Sequence, residues 1–225
     1  MSDPVNVTVL SASEFATRKF NLLYATKIKR AFDCITAAMM LFLAAPVIFV
    51  LLIIIALDGA NPIFAQPRVG KGGRVFACFK LRTMVPDAAQ RLAELLRKDP
   101  VARREWDENF KLEDDPRITW IGRFLRRTSL DELPQLWNVV RGDMSLVGPR
   151  PVTRIEMHRY ATNALTYKSM RPGLTGLWQV EGRGRDVSYP ERVAMDVRYA
   201  GSVSLVEDLR IMFGTLGAVL GQRGR

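Results

Sequence analysis

The sequence predicts an α/β fold, mostly α with one small β-hairpin, attached to a membrane near its N-terminal end. Three observations carry this. From Cys34 to Leu57 there are 24 residues without a charge, about 36 Å as a helix and longer than the roughly 20 residues that cross a bilayer. Two short extended runs flank the turn Gly70-Lys71-Gly72-Gly73. Most of the remaining chain shows apolar residues at helical spacing.

The 225 residues carry a net charge of +10, which calls for an anionic partner: nucleic acid, an acidic lipid surface or a phosphorylated substrate. Cys34 and Cys78, both in apolar surroundings, give neither a metal framework nor a disulfide pattern. His158 is the one histidine, and nothing spaced around it completes a catalytic triad or a metal site, so it is read as structural. No Walker lysine motif or GxGxxG turn is present, so the usual nucleotide folds are not indicated.

In chain order, residues 1–19 read as a tail with a short helix near Ser13. Residues 20–58 read as a long helix, basic at first (Lys27, Lys29, Arg30) and then apolar, with Pro46 inside it. A proline inside a helix removes a hydrogen bond, which leaves two readings: a kinked spanning helix, or a helix that breaks and returns. Arg18, Lys19, Lys27, Lys29 and Arg30 precede the run; Arg68, Lys71, Arg74, Lys80 and Arg82 follow it. Basic flanks belong on the cytoplasmic face, and only a returning helix leaves both clusters there.

Residues 59–225 read as one further domain. Pro62–Gln66 and Arg74–Leu81 form the hairpin, which places Lys80 and Arg82 on the same side of an extended chain, a pairing suited to phosphate. Pro86–Lys98 is an amphipathic helix, followed by a short polar helix through Trp106. Ile118–Arg127 is a basic amphipathic helix of the membrane-surface kind.

Thr128-Ser129-Leu130-Asp131-Glu132-Leu133-Pro134-Gln135-Leu136 comes next. Ser129 and Glu132 fit a capping box, and Pro134 fits a first helical turn. Adjacent side chains at a helix start diverge by roughly 100°, so Asp131 and Glu132 can border one pocket, and the helix dipole favours their ionised forms. The same residues also read as a plain helix cap. Beyond this helix, Arg150 lies between Pro149 and Pro151, on a stiff backbone that presents its planar fork. A helix over Thr153–Thr166 follows, then an apolar strand in Arg171–Val180 with Gln179 near its end, then Gly182-Arg183-Gly184-Arg185. Residues 190–200 and Ser204–Leu220 close the chain as helices.

The blocks Lys80–Met84, Asp115–Thr119, Thr128–Val139, Gly142–Pro151, Arg171–Val180 and Asp208–Ile211 resemble the bacterial sugar transferases, the monotopic phosphoglycosyl transferases. The resemblance covers roughly Lys27–Leu220. It implies transfer of a phosphosugar from a UDP-sugar to a polyprenol phosphate, with release of UMP, at the start of exopolysaccharide or glycoconjugate assembly. Asp131 matches the nucleophile of an Asp-Glu dyad and Glu132 its partner, Mg²⁺ is the implied cofactor with Asp131 as a ligand, and Arg150 between Pro149 and Pro151 matches the phosphate-binding arginine. Lys80, Arg82, Arg171, Gln179 and Arg183 are assigned to the phosphate and nucleotide. The family fold implies a re-entrant N-terminal helix hairpin broken at Pro46, a cytosolic catalytic domain, amphipathic interfacial helices and attachment to the inner leaflet of the bacterial cytoplasmic membrane. Ala45 stands where many members have serine. Larger members carry an extra N-terminal membrane bundle, which 225 residues are expected to exclude. A homodimer is allowed for and nucleic acid is not an expected partner. The competing reading is a membrane-tethered basic protein that binds anionic lipid or nucleic acid without chemistry.

Overall fold

A computed structural model describes residues 12–109, 112–182, 184–185 and 187–220, without the side chains of 12–16, 108–109 and 218–220. Arg183 and most of the N-terminal tail lie outside the described residues. Helix α1 (Ala12–Leu23) runs through a π-helical turn at Tyr24–Ile28 into α2 (Lys29–Ala56), whose helical conformation continues across Pro46. The hairpin forms as expected: β1 (Ile63–Val69) pairs antiparallel with β2 (Val75–Leu81), with Phe64 opposite Lys80 and Arg68 opposite Phe76. Two peripheral helices follow, α3 (Ala88–Lys98) and α4 (Pro100–Asn109).

Helix α5 (Trp120–Thr128) is capped by Thr119, whose hydroxyl accepts from the Gly122 amide. It crosses the end of β2 so closely that a Cβ at Gly122 would lie 2.0 Å from the Thr83 carbonyl oxygen. Only glycine permits that approach. A 3₁₀ turn, Leu130–Glu132, then leads into α6 (Gln135–Arg141). After α6 come β3 (Ser145–Val147), α7 (Arg154–Met157), α8 (Ala164–Ser169) and β4 (Gly173–Thr175), then α9 (Leu177–Glu181), α10 (Tyr189–Ser202) and α11 (Leu205–Leu220). β3 and β4 pair in parallel as a second small sheet.

Two expectations are corrected here. The helix over Thr153–Thr166 is broken into α7, a 3₁₀ stretch (His158–Asn163) and α8, with Ala161 at φ 44°. A continuous helix would hold residues 160 and 167 about 10 Å apart along its axis, whereas the rings of Tyr160 and Tyr167 meet edge-on with centroids 4.9 Å apart. The strand in Arg171–Val180 covers only β4. Past Gly176 the chain becomes α9 and Gln179 is helical. Exposed His158 is an ordinary surface residue, and both cysteines are free thiols.

The core joins Ala37, Leu136, Val139, Met144, Leu146, Leu177, Tyr199 and Ile211. A second cluster packs Leu51 and Ile55 of α2 on Leu81 and Leu125. Thus α2 touches the domain near both ends. Arg30 donates to the Val139 and Val140 carbonyls at 2.6 and 2.8 Å, closing the end of α6. Arg82 donates to the Ile55 carbonyl at 2.9 Å and grips Asp58 with both of its terminal nitrogens. Between these ties the outer side of α2 is bare: Ile35 is 70% exposed and Phe42 80%. In the most apolar window of this helix only 11% of residues are buried, which does not fit the core helix of a water-soluble protein.

Asp208 is fully buried in the first turn of α11. It accepts from the Tyr24 hydroxyl at 2.6 Å and the Tyr199 hydroxyl at 2.5 Å and pairs with Lys29. This carboxylate ties the base of α2 to α10 and α11. Asp208→Ala leaves Lys29 without its closest acid and the buried Tyr24 hydroxyl without its acceptor, while the Tyr199 hydroxyl keeps the Val147 carbonyl at 3.2 Å. Removing one partner of a buried pair costs about 3–5 kcal/mol, so detergent-solubilised variant protein is expected to show a clear drop in melting temperature.

Candidate active site

The dyad turn is shaped by Ser129, which adopts φ 57°, the left-handed conformation that a non-glycine residue seldom takes. Its amide closes the end of α5 by donating to the Arg126 carbonyl. The expected capping box is therefore corrected: Ser129 makes no side-chain cap, and Glu132 pairs with Lys80. Pro134 is the N-cap of α6, so the two carboxylates do lie on the entering turn. Leu130, in the same turn, packs against the Leu51–Ile55 cluster of α2.

Asn138 sets the distance between this turn and β2. Fully buried in α6, it donates from Nδ2 to the Ala77 carbonyl and accepts at Oδ1 from the Phe79 amide. That two-point grip on β2 backbone brings Lys80 over the dyad. Lys80 Nζ lies 2.6 Å from Glu132 Oε1 and 4.0 Å from Asp131 Oδ2.

The two carboxylates consequently differ. Burial pushes Asp131 up to about 6, opposed by Lys80 and helped by the negative charge of Glu132. The dipole expectation is corrected for this residue, because desolvation outweighs the helix terminus. Burial also acts on Glu132, but contact with Lys80, the charge of Arg150 and a hydrogen bond from Gln135 hold it below the usual carboxylate range.

A cleft opens beside the dyad, lined by Lys80, Glu132, Gln135, Arg150, Pro151 and Gln179, with Arg68, Cys78 and Leu174. The Pro-Arg-Pro loop is rigid for more reasons than its prolines. The Tyr167 hydroxyl donates to the Val69 carbonyl at 2.9 Å and accepts from the Val152 amide, beside the Arg150 carbonyl at 3.2 Å. Pro149 is buried, and its carbonyl accepts from the Gly173 amide. Exposed Arg150 stands 5.7 Å over the Trp178 ring. Below the loop, the Tyr160 hydroxyl donates to buried Asp196 at 2.6 Å.

The cleft brings together Glu132, Lys80, Arg150, Pro151 and Gln179, while Asp131 is buried beside it in the same turn, 4.0 Å from Lys80. The cleft does not include two of the assigned cations. β2 ends at Leu81, so the alternation that paired Arg82 with Lys80 stops there, and Arg82 turns to Ile55 and Asp58. Arg171 lines a separate cavity at the hairpin tip. Arg68 was not foreseen: it lines the cleft and pairs with Glu156 at 2.9 Å. The hairpin register was the signal for it, since Phe64, Gln66 and Arg68 face the same side as Lys80. Buried Gln179 Oε1 has no hydrogen-bond partner among the described residues, leaving an acceptor available at the cleft wall.

No group of three or more acids, histidines or cysteines able to hold a metal occurs among the described residues. Asp131 and Glu132 are nevertheless a fitting donor set for Mg²⁺, which is commonly held by one or two carboxylates together with substrate phosphates.

A cationic cleft beside an acidic dyad, in a domain tied to a bare apolar helix, is suited to an anionic ligand. The chain belongs to the bacterial sugar transferase family, whose profile matches residues 24–222. It is 53% identical over 197 residues to the UDP-galactose-lipid carrier transferase of Erwinia amylovora, covering 88% of this chain and 41% of that protein. It is 48% identical to the undecaprenyl-phosphate galactose phosphotransferase of Salmonella typhimurium, again covering 41% of the relative. To the exopolysaccharide production protein ExoY of Rhizobium meliloti it is 45% identical, with 87% of each chain covered. The chain thus spans about two fifths of the first two relatives and most of the third.

The Asp131 carboxyl is expected to titrate near pH 6 by carbon-13 NMR. The Lys80 cation favours the charged carboxylate, so Lys80→Met is expected to raise that midpoint by about one unit or more. An unchanged midpoint would show that Lys80 does not govern Asp131.

Proposed function

We propose that this chain transfers a phosphosugar from a UDP-sugar to a polyprenol phosphate, with Asp131 as nucleophile. The observation that carries the reading is the split dyad: Glu132 in the lining of a cationic cleft and held by Lys80 at 2.6 Å, its neighbour Asp131 buried beside it and 4.0 Å from the same lysine. An ionised Asp131 oxygen attacks the phosphorus that bears the sugar. The bond from that phosphorus to the bridging oxygen breaks, UMP departs with the oxygen, and an aspartyl phosphosugar remains. The lipid phosphate oxygen then attacks the same phosphorus, releasing Asp131 and giving polyprenyl-diphosphate sugar. Dividing one transfer into two displacements is the gain of covalent catalysis.

Lys80 and Arg150 are placed to neutralise phosphate oxygens, Arg150 with a planar fork on a fixed backbone. Glu132 holds Lys80 in position. Asp131 and Glu132 would hold Mg²⁺ with the diphosphate, and that ion would supply charge neutralisation when bound.

The membrane reading extends from the same geometry. Near each end α2 is tied to one and the same domain, by Arg30 and by Arg82, and a helix that crossed the bilayer would carry its ends to opposite faces. This supports a monotopic arrangement in which the apolar segment enters and leaves on the cytosolic face of the inner membrane. Exposed Trp120 and Phe124, beside Arg123 and Arg127 on α5, support contact of that helix with the interface. Relatives named for undecaprenyl phosphate and exopolysaccharide production support the acceptor and the biosynthetic role.

Asp131→Asn is expected to lower UMP release from a UDP-sugar with undecaprenyl phosphate by about 1000-fold or more, and chelation of Mg²⁺ is expected to abolish it. Turnover at the wild-type rate in the variant would exclude Asp131 as nucleophile. For topology, single cysteines replacing Lys19 and Lys71, with both native cysteines changed to alanine, are expected to resist impermeant maleimide in intact cells and to react after permeabilisation. Labelling of just one of them from outside would make α2 a spanning helix.

A further inference from the structure

Arg171, assigned to a phosphate by the sequence, lines a cavity of about 400 Å³ at the tip of the hairpin, with Lys71, Arg74, Phe76 and Asp143. That volume falls in the range of small-molecule sites. Phe76, Cys78 and Lys80 alternate onto one face of β2. Two residues of strand, about 7 Å, separate Phe76 in this cavity from Cys78 in the lining of the Asp131 cleft, so the two sites are neighbours along β2.

The charge in the cavity is unbalanced. Arg171 donates from Nε to the Gly142 carbonyl at 2.9 Å, which fixes its guanidinium plane and leaves the outer nitrogens for a ligand. Lys71 and Arg74 are exposed, and among the described residues neither has an ion pair. The same holds for Lys168, whose chain lies over Gly73. Asp143, the one acid in the lining, is taken by Arg141 at 3.3 Å and by Asn138 Nδ2 at 3.3 Å. In the Asp131 cleft, by contrast, Lys80 and Arg68 each have a glutamate.

We propose that this cavity is a second anion site that takes a nucleoside phosphate, with the phosphate on Lys71, Arg74 and Arg171 and the base or sugar against Phe76. Three cations lining one cavity, none of them in an ion pair among the described residues, select a phosphate. The volume and the aromatic wall select a ligand larger than phosphate alone. This site stands on its own charge and geometry and does not depend on the transferase reaction.

The test is calorimetric titration of UMP into the full chain in nanodiscs, without sugar donor or lipid acceptor. Lys71→Glu/Arg74→Glu alters exposed turn positions. It is expected to weaken UMP binding about tenfold or more, the loss of charged hydrogen bonds, with no change in the melting curve. Arg97→Glu/Lys98→Glu on α3 carries the same charge change outside the cavity lining and is expected to leave binding intact. UMP is expected to bind wild type more tightly than inorganic pyrophosphate does. Equal weakening in both double variants would reduce the effect to net charge and overturn the site. UMP binding lost in Arg150→Ala but intact in Lys71→Glu/Arg74→Glu would place the nucleotide in the Asp131 cleft and overturn it too. Pyrophosphate binding as tightly as UMP would remove the nucleoside from the proposal. Loss of turnover with this binding preserved would count against the transferase reading alone.

Discussion

The contact of Lys80 with the Asp131–Glu132 pair is the interaction that gives the rest of the structure its purpose. Two adjacent carboxylates in a partly buried turn repel each other, and a single cation between them cannot serve both equally. At 2.6 Å from Glu132 and 4.0 Å from Asp131, Lys80 breaks the symmetry. Glu132 becomes a fixed anion, and Asp131 keeps a carboxyl that desolvation leaves near neutrality. Such separation of two titrating groups by their surroundings is how one site gains two roles. Because Lys80 comes from the hairpin and the carboxylates from the turn before α6, the arrangement depends on the grip of Asn138 on β2.

The same turn is joined to the apolar helix. Leu130 shares a cluster with Leu51, Ile55, Leu81 and Leu125, so the residue next to the proposed nucleophile rests on the C-terminal part of α2. At the other end Arg30, Lys29 and Tyr24 bind α6 and Asp208. In the proposed reaction, a dyad turn seated on the apolar segment would let a lipid-linked phosphate react without leaving the interface. Ser129 in its left-handed conformation makes the sharp reversal between α5 and α6 and sets that seat.

Much of this was legible in the sequence, because its signals were local. The uncharged run, the glycine turn between extended segments, and the carboxylates entering a helix at Pro134 all follow from neighbouring residues. What could not be read depended on distant partners. Asp208 was visible only as an acid on an apolar face, and its role needs Tyr24 and Tyr199, 184 and nine residues away. The break at Ala161 answers to the packing of Tyr160 and Tyr167, a tertiary demand that overrides a helical pattern. The capping box at Ser129 and Glu132 failed because Lys80, 52 residues earlier, offered Glu132 a stronger partner than a backbone amide.

Arginine shows the limit most clearly. In the sequence Arg30, Arg68, Arg82, Arg150 and Arg171 are alike, and their sum implies an anion without saying where it binds. Each guanidinium carries five donors, so its task is decided by whichever acceptors the fold brings to it. Arg30 and Arg82 meet carbonyls at helix ends and become ties for α2, and Arg82 meets a carboxylate as well. Arg68 meets a carbonyl and Glu156 and becomes part of a wall. Arg150, whose loop satisfies its own backbone through Tyr167 and Gly173, has its side chain over Trp178 in the cleft lining, where the proposed reaction uses it. Backbone carbonyls, which no composition can report, thus divide the basic residues between structure and chemistry.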